Sequence, residues 1–201
     1  MYVMPFPVVT LVAQAEDRAK VLLAEVKAKA KTISTLSADL NFRVTGGRTQ
    51  DLSGRLLLQR PGLGWAEYRT ETGTLESLDL SDGRYWYQIQ GKAYSKQASK
   101  VVPEQIWPYV DGIPSRGSIQ PTFTGVERVG SYSCDVIEFV QPGLTARYYI
   151  GADKLIRRVV SILGSRSPRE TQDLILSNLV LNKPISPLRF QLPAGLTEAG
   201  R

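Results

Sequence analysis

Between Glu16 and about Leu36 the apolar residues Leu22, Val26, Ala30 and Ile33 return every three or four positions, with lysines and glutamates between them. That period predicts an amphipathic helix with one face to bury. The period then drops to two. Ala38, Leu40, Phe42 and Val44 alternate with Asp39, Asn41 and Arg43, which predicts a half-buried strand closed by Gly46-Gly47. In the next strand Leu52, Gly54, Leu56, Leu58 and Arg60 share one face and Ser53, Arg55, Leu57 and Gln59 the other. Pro61 ends that strand because it has no N–H to offer a neighbour. Further strands are predicted at Trp65–Arg69, Leu75–Leu80, Tyr85–Gln90 and Ala93–Ser95, with Asp82-Gly83 and Gly91 as turns.

Pro103 to Val110, which holds Ile106, Trp107 and Tyr109, reads as a short helix opened by Pro103 and kept short by Pro108. Strands resume at Thr122–Val129, Ser133–Val140, Leu144–Ile150, Leu155–Leu163 and Thr171–Leu181, divided by glycine turns, and Pro184–Pro193 forms an extended tail. About ten or eleven consecutive antiparallel strands have to cover an apolar face and deal with their edges, so they make a sandwich or curl into a barrel. Only two helical pieces exist to cover a concave face. The expected fold is therefore mainly β (α+β): a single incomplete antiparallel β-barrel with an N-terminal amphipathic helix and a short helical lid over an apolar cavity.

The chain has 201 residues, enough to bury a core as one domain, read as 16–201. Residues 1–15 are uncharged and mostly apolar and end in Ala13-Gln14-Ala15, the h-region and cleavage pattern of a secretory signal, without its basic n-region; they are read as a signal peptide or an apolar tail. No cysteine follows, so no lipobox is expected. No run is long and apolar enough to span a bilayer.

Histidine is absent, which removes Ser-His-Asp and Cys-His catalysis and the commonest zinc ligand together. The single cysteine, Cys134, excludes an internal disulfide and reads as a small buried hydrophobe. Most Asp and Glu residues fall in turns or on the outward phase of strands, where they are solvated. The expectation is that the protein is not an enzyme and uses no cofactor or metal. A net charge of +6 favours solubility. Lys20, Lys27, Lys29 and Lys31 gather on the first helix, but no nucleic-acid-binding motif accompanies them, so no nucleic-acid partner is expected.

Three segments carry a resemblance. Gly54-Arg55-Leu56-Leu57-Leu58-Gln59-Arg60-Pro61-Gly62 is followed by Ser81-Asp82-Gly83-Arg84-Tyr85-Trp86-Tyr87 and, near the C-terminus, by Phe190-Gln191-Leu192-Pro193-Ala194-Gly195. In that order, behind an amphipathic helix, they resemble the periplasmic lipoprotein carriers of the LolA/LolB/RseB superfamily. The chain departs from the family pattern in three places. Gln59 stands where a basic residue is usual, Gly64 where an aromatic is usual, with Trp65 one step later, and Tyr87 where a tryptophan is usual, with Trp86 one step earlier.

The resemblance implies an unclosed barrel whose helices form a lid over a cavity for acyl chains. It implies a periplasmic carrier, exported and monomeric, that binds acylated lipoprotein or lipid cargo and passes it from an inner-membrane donor complex towards an outer-membrane acceptor. Arg60 matches the family arginine that latches the lid by bonding to its backbone. Leu40, Phe42, Leu56, Leu58, Leu78, Leu80, Ile106 and Trp107 are the expected lipid-binding residues. The alternative is a cell-envelope lipid-sensing or protein-interaction module on the same fold, as in RseB. A LolB-like receptor would need a cysteine after its signal, and a RseB-like sensor a second domain after the barrel.

Overall fold

The computed structural model describes residues 8–47, 49–97, 120–164 and 169–199. Among them are one long helix, α1 (Val8–Lys31), and twelve strands in a single sheet. In chain order the strands are β1 (Thr35–Thr45), β2 (Gln50–Gln59), β3 (Leu63–Arg69), β4 (Leu75–Asp82), β5 (Trp86–Gln90), β6 (Ala93–Gln97), β7 (Thr122–Val129), β8 (Tyr132–Gln141), β9 (Leu144–Gly151), β10 (Ile156–Leu163), β11 (Glu170–Leu181) and β12 (Thr197–Glu198). Their spatial order is β12-β6-β5-β4-β3-β2-β1-β11-β10-β9-β8-β7. The sheet is thus two antiparallel meanders joined through the β1–β11 pair, and its terminal strands are not bonded to each other. It is an open, incomplete barrel, as the strand pattern predicts.

Two boundaries differ from the sequence reading. α1 begins at Val8 and stops at Lys31, so it takes in part of the apolar leader, and Leu36 belongs to β1. Thr32 and Ile33 are β-branched and resist the helix, and Thr32 turns its hydroxyl back to the Lys29 carbonyl at 2.8 Å. The tail is not simply extended. It makes a 3-10 turn at Pro187–Phe190 and then adds β12 in parallel beside β6, the one parallel pair in the sheet.

Alternation places Leu36, Ala38, Leu40 and Phe42 of β1 on one face, opposite Leu58, Leu56, Gly54 and Leu52 of β2. The same face continues through Ala66 and Tyr68 on β3 and Leu174 and Leu176 on β11. α1 lies across this inner face and buries Ala19, Leu22 and Val26 against it, and Ile33, just past the helix, joins them in the main core. A second core lies on the outer face, where Leu78, Leu80, Tyr87 and Ile89 are covered by Leu192 and Leu196 of the tail. The predicted lid helix at 103–110 lies outside the described residues.

Gly54 shows why the sequence needs glycine at the centre of β2. A methyl group there would sit 1.8 Å from the backbone oxygen of Glu67 on β3. Only hydrogen fits between the two strands.

Candidate functional site

The Arg-Pro end of β2 meets the C-terminal end of α1. Arg60 donates from Nε to the Ile33 carbonyl at 2.9 Å and from Nη2 to the Ala30 carbonyl at 3.0 Å, and its backbone N–H reaches Ser34 O at 2.9 Å. Ala30 O lies in the last turn of α1, where a cation is favoured by the helix dipole, and it also accepts the Ile33 N–H at 3.1 Å, while Ile33 and Ser34 follow the helix. The planar guanidinium serves the Ala30 and Ile33 carbonyls at once.

Asn182, just past β11, completes the junction. Its Nδ2 donates to Thr32 O at 3.1 Å, its Oδ1 accepts from the Ser34 N–H at 2.8 Å, and its backbone N–H donates to Thr35 O at 2.9 Å. Its φ of +56° lies in the left-handed region, which asparagine tolerates better than most residues. Sequence reasoning missed Asn182. The available signal was an asparagine ending a strand directly before Lys183-Pro184, a capping residue at a forced turn.

Farther along, α1 is tied to the β7–β10 half. Lys154 pairs with Glu25 at 2.7 Å, and Arg18 pairs with Asp135 at 3.0 Å while its guanidinium lies over Phe123, 4.7 Å from the ring centre. Both ion pairs are partly solvated, so each is worth at most about 1 kcal/mol. The Arg60 junction is half-buried and stronger.

The second motif joins the first. Ser81 donates its hydroxyl to Gly62 O at 2.7 Å, so the Ser-Asp-Gly turn is bonded to the turn after Arg60-Pro61. Asp82 accepts from the N–H groups of Arg84 and Tyr85, both at 2.8 Å, and from the Tyr87 hydroxyl at 3.0 Å. Burial alone would raise the Asp82 pKa, but those donors outweigh it and hold the carboxyl below the usual range, while burial and Asp82 together push the Tyr87 phenol up to about 12. The third motif supplies Leu192, which packs on the outer core, and the buried Phe190. The first two segments therefore meet at the Arg60 turn.

The lipid-binding residues expected from sequence divide between the two faces. Leu40, Leu56 and Leu58 lie under α1 on the inner face, with Phe42 at the margin of its cover. Leu78 and Leu80 do not join them, because they pair with Ile89 and Tyr87 on the outer face beneath the tail. The pattern Leu-x-Leu reads alike under either cover, which is why alternation in one strand could not tell them apart. Ile106 and Trp107 lie outside the described residues.

With Leu78 and Leu80 turned out, β4 presents Ser77, Asp79 and Ser81 to the inner face, opposite Gln88 and Trp86 of β5. A groove of about 420 Å³ opens there. Its apolar end is Phe42, Leu52 and Tyr68, and its polar end includes Asp79, Gln88 and Ser95. Phe42 and Tyr68 meet edge to face with centroids 6.0 Å apart. Burial pushes the Asp79 carboxyl up to about 7 and raises the Tyr68 phenol, to which the Asp79 charge adds. The expectation that carboxylates point outward fails at Asp79. Among the described residues no group of three or more His, Cys, Asp or Glu side chains could hold a metal ion.

No protein-family model matches the sequence, and no curated protein matches it either. Solved structures do match. An uncharacterized conserved protein from Thermus thermophilus superposes with a TM-score of 0.63 at 11% identity, over 92% of this chain and 99% of that one. MucB superposes with a TM-score of 0.56 at 14% identity, over 89% of this chain and 64% of that one. A LolA superfamily protein, NE2245 from Nitrosomonas europaea, gives a TM-score of 0.46 at 8% identity, over 87% of this chain and 97% of that one. The fold is shared with the Thermus thermophilus protein and with the matched part of MucB. At these identities the likeness concerns the fold alone. No described helix is long and apolar enough to cross a membrane.

Proposed function

We propose that the protein is a periplasmic carrier that takes the acyl chain of a lipid or lipoprotein between α1 and the inner face of the sheet and passes it towards the outer membrane. The observation that carries this reading is the cover itself: one amphipathic helix lies on the apolar inner face of an open sheet, fixed at its C-terminal end by Arg60. Magnitudes support an exchange. Uncovering Leu22, Leu23 and Val26 of α1 costs on the order of 5–9 kcal/mol, and burying a long acyl chain at about 0.8 kcal/mol per methylene returns on the order of 10. The two are close enough for cargo to displace the helix and for the helix to help expel cargo.

The groove beside Phe42 fits an amphiphile in one orientation. The chain would run from Phe42, Leu52 and Tyr68 under α1, and the polar end would meet Asp79, Gln88 and Ser95. Arg60 then acts as the tie that sets how easily α1 lifts.

Native mass spectrometry of the protein taken from a bacterial periplasm without delipidation tests the proposal. Bound species that match acyl lipids or lipopeptides and disappear in organic solvent are expected. An apo mass that persists after incubation with an acylated peptide would overturn the carrier reading in favour of a sensing or interaction module on the same fold.

A further inference from the structure

The outer face of the sheet carries a groove of its own, of about 640 Å³, between β1–β3, the end of β11 and the tail segment 183–189. Its floor is apolar: Leu57 is buried and Trp65 half-buried. Its walls are cationic. Arg55, Arg69, Lys183 and Arg189 line it against a single lining carboxylate, Glu67. Arg69 already holds Glu67 at 3.2 Å and the Gly73 carbonyl at 3.0 Å. Asp39, the residue paired with Arg55 across β1 and β2, accepts from Asn178 at 2.7 Å. Among the described residues the side chains of Arg55, Lys183 and Arg189 make no ion pair or hydrogen bond.

Three exposed cations around a recessed apolar floor repel one another unless an anion joins them. We propose that this groove docks an extended acidic segment of a partner protein, its carboxylates on Arg55, Lys183 and Arg189 and its alternate apolar side chains on Leu57 and Trp65. An extended chain fits because successive side chains point to opposite sides, so one set can reach the floor while the other meets the rim. A bilayer surface is flat and cannot reach a floor that lies below its own walls. A second copy of this chain carries the same net charge of +6 and is disfavoured on that ground. The proposal stands apart from the cargo reading, because it concerns the opposite face of the sheet.

The test is fluorescence anisotropy with the full chain and two labelled peptides, one alternating glutamate and leucine, the other lysine and leucine. Vesicles of phosphatidylglycerol form a third arm. The glutamate peptide binds at low salt, binding weakens as salt rises, and R55E combined with R189E lowers affinity about tenfold or more. Arg55 stands between Asp39 and Glu67 on the flanking strands, so R55E also sets like charges side by side; Lys183→Ala alone gives a smaller loss and keeps the test if the double reversal misfolds. No binding of the glutamate peptide, equal binding of the lysine peptide, or an affinity indifferent to these substitutions overturns the proposal. Vesicle binding that depends on Arg55 and Arg189 while the peptide does not bind overturns it in favour of a lipid surface.

Discussion

Arg60 at the end of β2 and Ala30 in the last turn of α1 are joined by a hydrogen bond of 3.0 Å, and the same guanidinium bonds Ile33 at 2.9 Å. The side chain therefore fastens the helix that covers the inner face, from a strand of the sheet beneath it. Charge-assisted bonds of this kind are worth about 1.5–3 kcal/mol, and Arg60→Ala should lower stability by about that much. Hydrogen exchange should locate the loss: amides in the last two turns of α1 should exchange faster, with those of β1 and β2 little changed. Arg60→Lys should recover part of it, since one ammonium cannot serve both carbonyls in the plane of a guanidinium. Uniform exchange across the sheet would mean that Arg60 supports the core at large and does not tether the helix.

Much of this arrangement was legible in the sequence, for a physical reason. Strands that alternate apolar and polar residues between glycine turns leave little freedom in where they begin and end, and β7 through β11 lie within a residue or two of their predicted bounds. The face on which a strand buries its apolar side is another matter. Leu56 and Leu78 look equivalent in sequence, yet Leu56 lies under α1 and Leu78 under the tail. The difference is made by Leu192 and Leu196, more than a hundred residues later in the chain. Asn182 was hidden for a similar reason, because its carbonyl partner Thr32 is 150 positions away. Local pattern fixes strands; only their covers decide which side faces a ligand.

Gly54 makes a sharper prediction than its place in the motif suggests. Gly54→Ala puts a methyl group within 1.8 Å of Glu67 O and 2.8 Å of Glu67 C, both backbone atoms that no rotamer change can move. β2 and β3 would have to separate. A loss of about 3 kcal/mol or more in urea denaturation is expected, at the upper end of overpacking costs. A near-neutral Gly54→Ala would show that the two strands separate at little cost.

Asp79 should give the protein a pH dependence of its own. Burial holds its folded pKa at about 7, against about 3.9 for an aspartate in an unfolded chain. The unfolded state therefore ionises first, and the stability tied to this group is fully present below about pH 4 and is lost as pH rises through 7. Glu76 and Tyr68 line the same groove, and neither brings a positive charge that could relieve it. Asp79→Asn cannot ionise. At pH 8 it should be more stable than the parent by up to about 4 kcal/mol, with the gap closing towards pH 4. Urea midpoints at the two pH values give the answer, and a gap independent of pH would place the effect in packing.

Cys134 is fully buried on the outer face beside Val136 and Tyr149, and burial raises its thiol pKa. The reactive form of cysteine is the thiolate, so the native protein should resist a thiol reagent such as Ellman's and react fully once unfolded in denaturant. Rapid labelling under native conditions would reveal opening of the β7–β10 half.

The tail offers the last test, because it decides what the outer face of β4 and β5 can be. Phe190 is 3% exposed, and the turn that carries it leads to Leu192 and Leu196 over Leu78, Leu80, Tyr87 and Ile89. Replacing a buried phenylalanine with alanine removes its transfer energy and leaves a cavity, a cost of about 3–5 kcal/mol where the surroundings cannot collapse. Phe190→Ala should fall near the lower figure of about 3 kcal/mol, because a surface segment of this kind can settle partly into the gap. It should also speed exchange at β12 and β6, which the tail joins by the bond from Thr197 N to Lys92 O at 2.9 Å. Leu188, in the same turn but 72% exposed, is the control, and Leu188→Ala should change stability by less than about 0.5 kcal/mol. If the two substitutions cost the same, the tail does not hold the outer core, and Leu78 and Leu80 owe their burial to the sheet alone.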